Sequence, residues 1–202
     1  GQLIRHRAET FAEGTVFPNV ERPMNISRLI IATLFTSACM AASTSFAQFE
    51  ATATPVDKLT VAKGFKVELL YTVPKAEQGS WVNLCVDGKG RIIASDQFGG
   101  LYRFPAPAVG QPLQAKDIEK VPANIRAANG LLWAFDALYV GVNDYQRKME
   151  SGLYRLTDSN GDDQLDKVEK LRGMTARGDH GIHAVLLAPD GKSIYLITGN
   201  NT

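Results

Sequence analysis

Apolar and polar residues alternate along much of the chain after residue 48, at the two-residue period of a half-buried β-strand. The segments that show this pattern most clearly are 65–71, 81–86, 91–95 and 100–104. Pro105 and Pro107 end the last of them, because proline cannot donate to a strand ladder. No segment after residue 48 has the sustained i, i+3, i+4, i+7 apolar pattern of an amphipathic helix. The sequence therefore predicts an all-β fold.

The chain also repeats itself. Gly100–Phe104 (GLYRF) recurs as Gly152–Leu156 (GLYRL), an offset of 52 residues (152 − 100). The Asp-Gly-Lys turn at Asp87 recurs at Asp190, which is close to twice that offset, and 132–141 is a divergent copy between them. A period of about 40–55 residues built from four short strands is typical of β-propeller blades. A β-sandwich is the alternative, and it explains the strands but not the repeat.

The length of this region sets the number of blades. Residues 48–202 hold about three four-stranded blades, whereas propellers close with roughly four to eight. We therefore expect a truncated, partial propeller, the N-terminal portion of a longer protein whose complete ring is six-bladed.

A targeting segment precedes the predicted blades. Residues 29–49 carry no charge, the run 29–35 is apolar, and small residues follow up to Ser45 and Ala47. This order predicts a signal peptide at 24–47 that begins at Met24. Residues 1–23 are then a non-native or disordered upstream segment. An uncleaved membrane anchor is the alternative, since a span needs about 20 residues.

Export follows from this interpretation. A cleaved signal places the protein in the periplasm or outside the cell, and a retained one associates it with a membrane. Membrane contact is thus expected only through export or anchoring.

Composition removes several function classes. The net charge of +1 gives no basic surface for nucleic acid, and 45% hydrophobic residues exclude a disordered chain. Two cysteines exclude a disulfide scaffold and a Cys-based zinc cluster.

Cys85 is the only cysteine after the predicted signal. Alternation places Trp81, Asn83 and Cys85 on one face of their strand. The opposite face carries Val82, Leu84 and Val86. Because both faces hold apolar residues, we expect an inner strand packed between neighbouring blades, with Cys85 as a buried, inert thiol.

An acidic loop is the first candidate for chemistry. Oxygen-bearing side chains fall at positions 1, 3, 5, 9 and 12 of the segment 158–169, the spacing of a calcium-binding loop. Position 6, where glycine normally allows the sharp turn, is Asp163. A solvated acidic turn between two outer strands is the alternative. The predicted calcium ligands are Asp158, Asn160, Asp162, Asp166 and Glu169.

Two histidines in a glycine-flanked loop are the second candidate. His180 and His183 lie within four positions, and Asp179 precedes the first. An imidazole can take a proton from a hydroxyl group, and a neighbouring carboxylate can orient it. A structural histidine and a His-x-x-His metal pair are the alternatives. If the segment is extended, the two rings point to opposite faces, so we expect His180 to be the base and His183 its structural companion.

Several of these motifs together resemble a known family. Gly152–Leu156, the acidic loop, Asp179–His183, the segment 188–195 and Gly199-Asn200 are similar to the N-terminal propeller of bacterial membrane-bound dehydrogenases. These are related to soluble quinoprotein glucose and sorbosone dehydrogenases. The resemblance covers 59–202.

The resemblance implies an activity. The catalytic histidine of the quinoprotein sugar dehydrogenases stands nine residues before the proline of the Pro-Asp turn, which is His180 here (189 − 9). The implied reaction is hydride transfer from a sugar or alcohol C–OH to pyrroloquinoline quinone. His180 is then the general base beside the quinone, with Asp179 next to it.

The resemblance also implies partners. The resemblance makes Asn200 a cofactor contact. The family has Gly-Asp where this chain has Gly199-Asn200, a departure that weakens the quinone or substrate contact. A c-type cytochrome is the implied electron acceptor, and haem is expected only in a further C-terminal domain. A non-catalytic propeller that binds carbohydrate or protein partners is the alternative function, because this fold serves both uses.

Overall fold

A computed structural model gives the fold of the protein. It describes residues 2–5, 53–176, 178–200 and 202. The chain divides into two units, one formed by residues 1–7 and 52–202 and the other by residues 8–51. The second unit lies outside the described residues, and so does the predicted signal peptide at 24–47. The predicted upstream segment 1–23 is described only at its first strand.

Antiparallel strands are the main regular structure of the described residues, as the sequence predicts. Helical structure there is limited to α1 (Lys75–Gln78) and to single 3-10 turns at Val56–Lys58, Ala115–Asp117 and Gly178–His180. The strands are β1 (Gln2–Arg5), β2 (Trp81–Val86), β3 (Arg91–Asp96), β4 (Leu101–Pro105), β5 (Glu119–Lys120), β6 (Ala128–Ala134), β7 (Ala137–Val142), β8 (Gly152–Thr157), β9 (Lys167–Gly173), β10 (Ile182–Leu187) and β11 (Ile194–Thr198).

The strands form three sheets. The first sheet has the order β2-β3-β4-β5, and the second has the order β6-β7-β8-β9. The third sheet has the order β1-β11-β10. The two GLYR segments open β4 and β8, which are each the third strand of a four-stranded sheet. The repeat thus corresponds to blade-like sheets, although the described residues do not close into a ring.

Turn chemistry explains the hairpin between β6 and β7. Phe135 and Asp136 form its two-residue turn, and their φ angles are 51° and 52°. A tight hairpin turn needs two residues with left-handed backbone conformation, because that conformation matches the twist of the flanking strands. The divergent copy at 132–141 is therefore a complete hairpin.

The predicted strand at 65–71 does not form. Its backbone has no ladder partner within the described residues apart from a single bond, in which Leu113 N donates to the carbonyl of Leu70 at 2.9 Å. The Tyr71 ring packs beside Trp81, with ring centroids 5.8 Å apart. The alternating apolar residues of this segment are themselves exposed, with Phe65 at 78% and Leu69 at 52%, because no neighbouring strand pairs with it.

Each sheet has two faces, which we name by the sheet they meet. The upstream face turns toward the preceding sheet in the chain and the downstream face toward the following one. The downstream face of the first sheet presents Ile93, Leu101 and half-buried Cys85 to the second sheet, whose upstream face includes Leu131 and Tyr154. A second core joins the downstream face of the second sheet to the third sheet, and its buried members include Tyr139, Leu153, Ile182, Val185 and Leu196.

A β-bulge corrects one prediction about β2. The register shifts between Trp81 and Asn83, so these two residues do not share a face. Trp81 instead stacks on Tyr102 and Phe104, with ring centroids 5.5 and 5.4 Å away. Those rings belong to the upstream face, opposite Cys85.

Burial on both faces of β2 is also not observed. Val82, Leu84 and Val86 are 44%, 65% and 55% exposed. Cys85 is half-buried, and burial raises the pKa of its thiol to about 12, with the charge of Asp87 adding to the effect. The unreactive thiol that the sequence predicts is consistent with this environment, because the thiolate is the reactive form.

Candidate functional site

Five loops gather at one end of the sheets, which we call the histidine end. Their described residues are 97–100, 121–127, 143–151, 174–176 with 178–181, and 199–200. Backbone hydrogen bonds link neighbouring loops across the sheets. Ala127 N donates to the carbonyl of Gly99 at 3.2 Å, and Asn143 N donates to that of Ala127 at 2.9 Å. The end is therefore a continuous loop surface that spans all three sheets.

The predicted catalytic residues lie in a single 3-10 turn of this surface. Asp179 and His180 are exposed within the turn Gly178–His180. The side chain of Asn143 supports the turn, since its Nδ2 donates to the carbonyl of Gly178 at 3.1 Å. The segment is therefore not extended, and the alternation argument for opposite histidine faces does not apply to it.

Asn200 lies beside the same turn. Gly199 N donates to the carbonyl of Gly181 at 2.6 Å. A Cβ atom on Gly199 would lie 2.3 Å from the carbonyl oxygen of His180, so only glycine permits this close approach. The fold thus brings together the loops of three residues that the sequence singled out separately, Asp179, His180 and Asn200.

His183 lies on a bulge of the third sheet. β10 begins at Ile182, and its register with β11 shifts between Ile182 and Val185. The His183 side chain is exposed, and within the described residues neither His180 nor His183 makes a side-chain hydrogen bond. The structural role expected for His183 thus has no side-chain hydrogen bond within the described residues, and the roles of the two histidines stay predictions.

Asn143 and Asp144 are site residues that the sequence analysis missed. Both are buried, at 4% and 3% exposure. Asp144 Oδ2 accepts from the backbone N–H groups of Lys148 and Met149, and Arg126 Nε lies 3.1 Å from it. A polar Asn-Asp pair directly after the apolar strand β7 was the available signal, because such residues commonly organise loops through side-chain to backbone bonds.

A hollow of about 450 Å³ opens beside these residues. Its wall includes Asp144 and Ser151 from one loop and Met174 and Thr175 from the loop that leads to His180. Arg147 and Lys148 also line it, and neither has an ion-pair partner among the described residues. The hollow therefore combines two cations with two carboxylates, Asp144 and Glu150, of which Glu150 pairs with Lys170. A ligand with both anionic and hydroxyl groups would suit such a wall.

The acidic loop lies at the opposite end of the second sheet. Asp158 accepts backbone N–H bonds from Asn160, Gly161 and Asp163 at 3.1, 2.7 and 2.8 Å. Asp162 accepts one from Gln164 at 2.9 Å. These bonds fold the loop upon itself.

The remaining predicted calcium ligands point to different partners. Asp166 accepts from the backbone and the hydroxyl of Ser159 at 2.9 and 2.6 Å. Glu169 lies on β9 and accepts from Arg155 Nη2 at 2.6 Å. Within the described part of the chain, no three His, Cys, Asp or Glu side chains converge as metal ligands would. Calcium at this loop stays a prediction.

Asp163 fastens this loop to the first sheet. Its φ is 68°, the left-handed conformation expected where a calcium loop has glycine. Arg91 donates to its carboxylate through both terminal nitrogens, at 2.6 and 2.8 Å, and Lys89 Nζ lies 2.9 Å away. The Arg91 guanidinium, followed by Lys89, holds the pKa of Asp163 well below its usual range.

The comparisons with known proteins leave the family open. No family model, no curated protein and no solved structure matches this chain. Among the residues that the structure describes, no helix has the length and apolar character needed to cross a membrane.

Proposed function

We propose that the histidine end is the substrate site of an exported quinoprotein-type sugar or alcohol dehydrogenase-like protein. The observation that carries the proposal is the meeting of the loops that hold Asp179, His180 and Asn200. All three residues were singled out from the sequence, and the resemblance assigns two of them to catalysis and one to cofactor contact.

The described residues fit the cofactor that the resemblance implies. Pyrroloquinoline quinone carries carboxylates, which require cationic partners. Arg147 and Lys148 supply such cations at the wall of the hollow, and the loop of His180 follows directly from the same wall. When bound, the quinone would supply the redox chemistry by accepting the hydride from the substrate carbon.

The chain's own part is positioning and proton transfer. A ring nitrogen of His180 takes the proton of the substrate hydroxyl as a general base. Asn143 holds the turn that presents this imidazole, through its bond to the carbonyl of Gly178. Asn200 lies close enough to the turn to contact the same ligand.

The test is dye-linked dehydrogenase activity of the full chain loaded with the quinone and calcium, against a panel of sugars and alcohols. We expect His180→Ala to lower turnover by roughly 10²–10⁴-fold. His183→Ala is the matched control, since its side chain is equally exposed and lies three residues away. We expect it to keep turnover.

Two results would overturn the proposal. One is full activity in His180→Ala. The other is a folded wild-type chain that neither binds the quinone nor oxidises any substrate in the panel. Retained carbohydrate binding in the second case would favour the non-catalytic binding module.

A further inference from the structure

Arg147 has a backbone conformation that its residue type disfavours. Its φ is 57°, in the left-handed region where a side chain crowds the neighbouring carbonyl. Arg147 N donates to the carbonyl of Asp144 at 3.0 Å and closes a four-residue turn, whose last position favours glycine. Residues held in this region against their preference cluster at functional sites. An arginine at this position is therefore explained by its side chain rather than by its backbone.

Asp163 is a comparable residue whose side chain is accounted for. Its φ is 68°, and its carboxylate accepts from both terminal nitrogens of Arg91. Arg147 has no such partner within the described part of the chain, and its side chain lines the hollow. The group that Arg147 meets is therefore expected to come from a ligand.

A buried carboxylate fixes the turn before any ligand arrives. The side chain of Asp144 is fully buried, and Arg126 Nε from a neighbouring loop lies 3.1 Å from its Oδ2. Oδ1 accepts from Gln146 N at 3.1 Å, and Oδ2 accepts from the N–H groups of Lys148 and Met149 at 3.1 and 2.8 Å. A turn held in this way is preorganised, which lowers the cost of ordering it on binding.

The charges around the hollow do not cancel. Each of the two carboxylates in its wall has a cation of its own from outside the wall, Arg126 for Asp144 and Lys170 for Glu150. Arg147 and the lysine after it also line the hollow, and neither forms an ion pair among the described residues. The wall therefore has an uncompensated positive charge, which favours an anionic group.

The wall also offers partners for hydroxyl groups. Ser151 and Thr175 contribute side-chain hydroxyls, and Glu150, whose side chain is 57% exposed, contributes a carboxylate that accepts hydrogen bonds. The volume of about 450 Å³ lies within the range of small-molecule sites. A guanidinium matches a carboxylate best, because its planar fork donates two parallel hydrogen bonds to the two oxygens.

We propose that the hollow binds a polyhydroxy carboxylate, such as an acidic sugar, and that Arg147 recognises its carboxylate. This inference rests on the proposed function, because it names the substrate class of the same site. The segment 174–176 of the wall leads along the chain toward the turn of His180, the proposed base. The carboxylates of the quinone offer Arg147 the same chemistry, so the experiment separates the two ligands.

Isothermal titration calorimetry of the full chain tests the inference with three probes, which are sodium glucuronate, glucose and pyrroloquinoline quinone. We expect glucuronate to bind more tightly than glucose, its neutral counterpart. Arg147→Gln keeps the length of the side chain and removes its charge. It should weaken glucuronate binding by roughly tenfold or more and leave glucose binding unchanged.

Arg147→Gly separates binding from stability. Glycine relieves the left-handed backbone, so the unfolding temperature should equal or exceed that of the wild type, while glucuronate binding falls as in Arg147→Gln. Asp136→Gly is the matched control, since Asp136 has a φ of 52° in the β6–β7 turn and does not line the hollow. It should keep glucuronate binding. Lys116→Gln, which removes an exposed charge elsewhere, should keep it too.

Three outcomes would overturn the inference. The first is a wild-type chain that binds glucuronate no more tightly than glucose. The second is an equal loss of glucuronate binding in Lys116→Gln, which would indicate a general effect of charge. The third is unchanged glucuronate binding in Arg147→Gln, and a loss of quinone binding there would assign Arg147 to the cofactor.

Failure of this inference and failure of the proposed function give different results. Glucuronate binding that depends on Arg147, in a quinone-loaded chain that oxidises nothing, would contradict the proposed function alone. Dehydrogenase activity on neutral sugars, in a chain that does not bind glucuronate, would contradict this inference alone.

Discussion

The first and second sheets carry the same GLYR repeat in very different surroundings. Arg103 in the first sheet and Arg155 in the second occupy equivalent positions, and each pairs across the ladder with a glutamate, Glu119 and Glu169. The Arg103 side chain is 3% exposed, whereas that of Arg155 is 41% exposed. The same local motif thus joins a buried arginine to a partly exposed glutamate in one sheet, whereas both partners are partly exposed in the other.

The neighbouring sheet causes this difference. Arg103 Nη2 donates to the backbone carbonyl of Asp163 at 2.8 Å, because the acidic loop of the second sheet covers it. No equivalent loop covers Arg155 within the described residues. The repeat therefore builds the strand pair, and the next sheet in the stack determines how much energy the pair contributes.

The largest expected effect contrasts Leu131 with Leu84. Leu131→Ala should lower the free energy of unfolding by about 2–5 kcal/mol, because it empties a filled inter-sheet core. Leu84→Ala should change it by about 0.5 kcal/mol or less, since that side chain is solvated. Urea unfolding of the two variants beside the wild type measures both. Equal losses would show that the upstream face of the first sheet is covered.

An intermediate effect is expected from the arginines. Arg103→Ala removes the charged partner of Glu119 and a bond to the Asp163 carbonyl, so we expect a loss of about 2–4 kcal/mol. Arg155→Ala breaks a partly exposed pair and should cost less than about 1 kcal/mol. The same unfolding titrations compare them. A loss from Arg155→Ala as large as that from Arg103→Ala would contradict the role given to the acidic loop.

The smallest expected effect concerns the pH dependence of the Asp163 contact. The pKa of Asp163 is lower in the folded chain than its unfolded value of about 3.9. Its contribution to stability is therefore complete above that unfolded value and declines as the pH falls toward the folded pKa. We expect Asp163→Asn to cost about 1–2 kcal/mol at pH 7, a figure reduced for partial exposure.

The difference between wild type and Asp163→Asn should shrink between pH 5 and pH 2, measured by thermal unfolding. Asp162→Asn is the matched control in the same loop, because the substituted side chain keeps an oxygen to accept from Gln164 N. It should lower stability little at any of these pH values. A pH-independent loss in Asp163→Asn would contradict the ion-pair account.

Period and repeat determined the strands and their grouping. The alternation of Trp81–Val86 and the apolar run at Arg91–Ser95 correspond to β2 and β3 within one residue. The offset between the two GLYR segments indicated two separate repeats, and the structure places both segments on strands of separate sheets. These features are local, because strand geometry and turn chemistry depend on residues close together in the chain.

Only the tertiary structure decided which positions have partners. Leu84 and Leu131 lie in similar alternating segments. A two-residue period indicates that a strand has two faces, but it does not indicate what covers each face. In the sequence, Asp163 is a departure from the pattern of a calcium-binding loop. Its pairing with Arg91, 72 residues away in the chain, explains why an aspartate stands at this position. The loops of His180 and Asn200 meet through the β10–β11 hairpin, whose turn at Asp190 the sequence indicated. The bond from Asn143 that holds the His180 turn comes from another sheet, and only tertiary packing decides it.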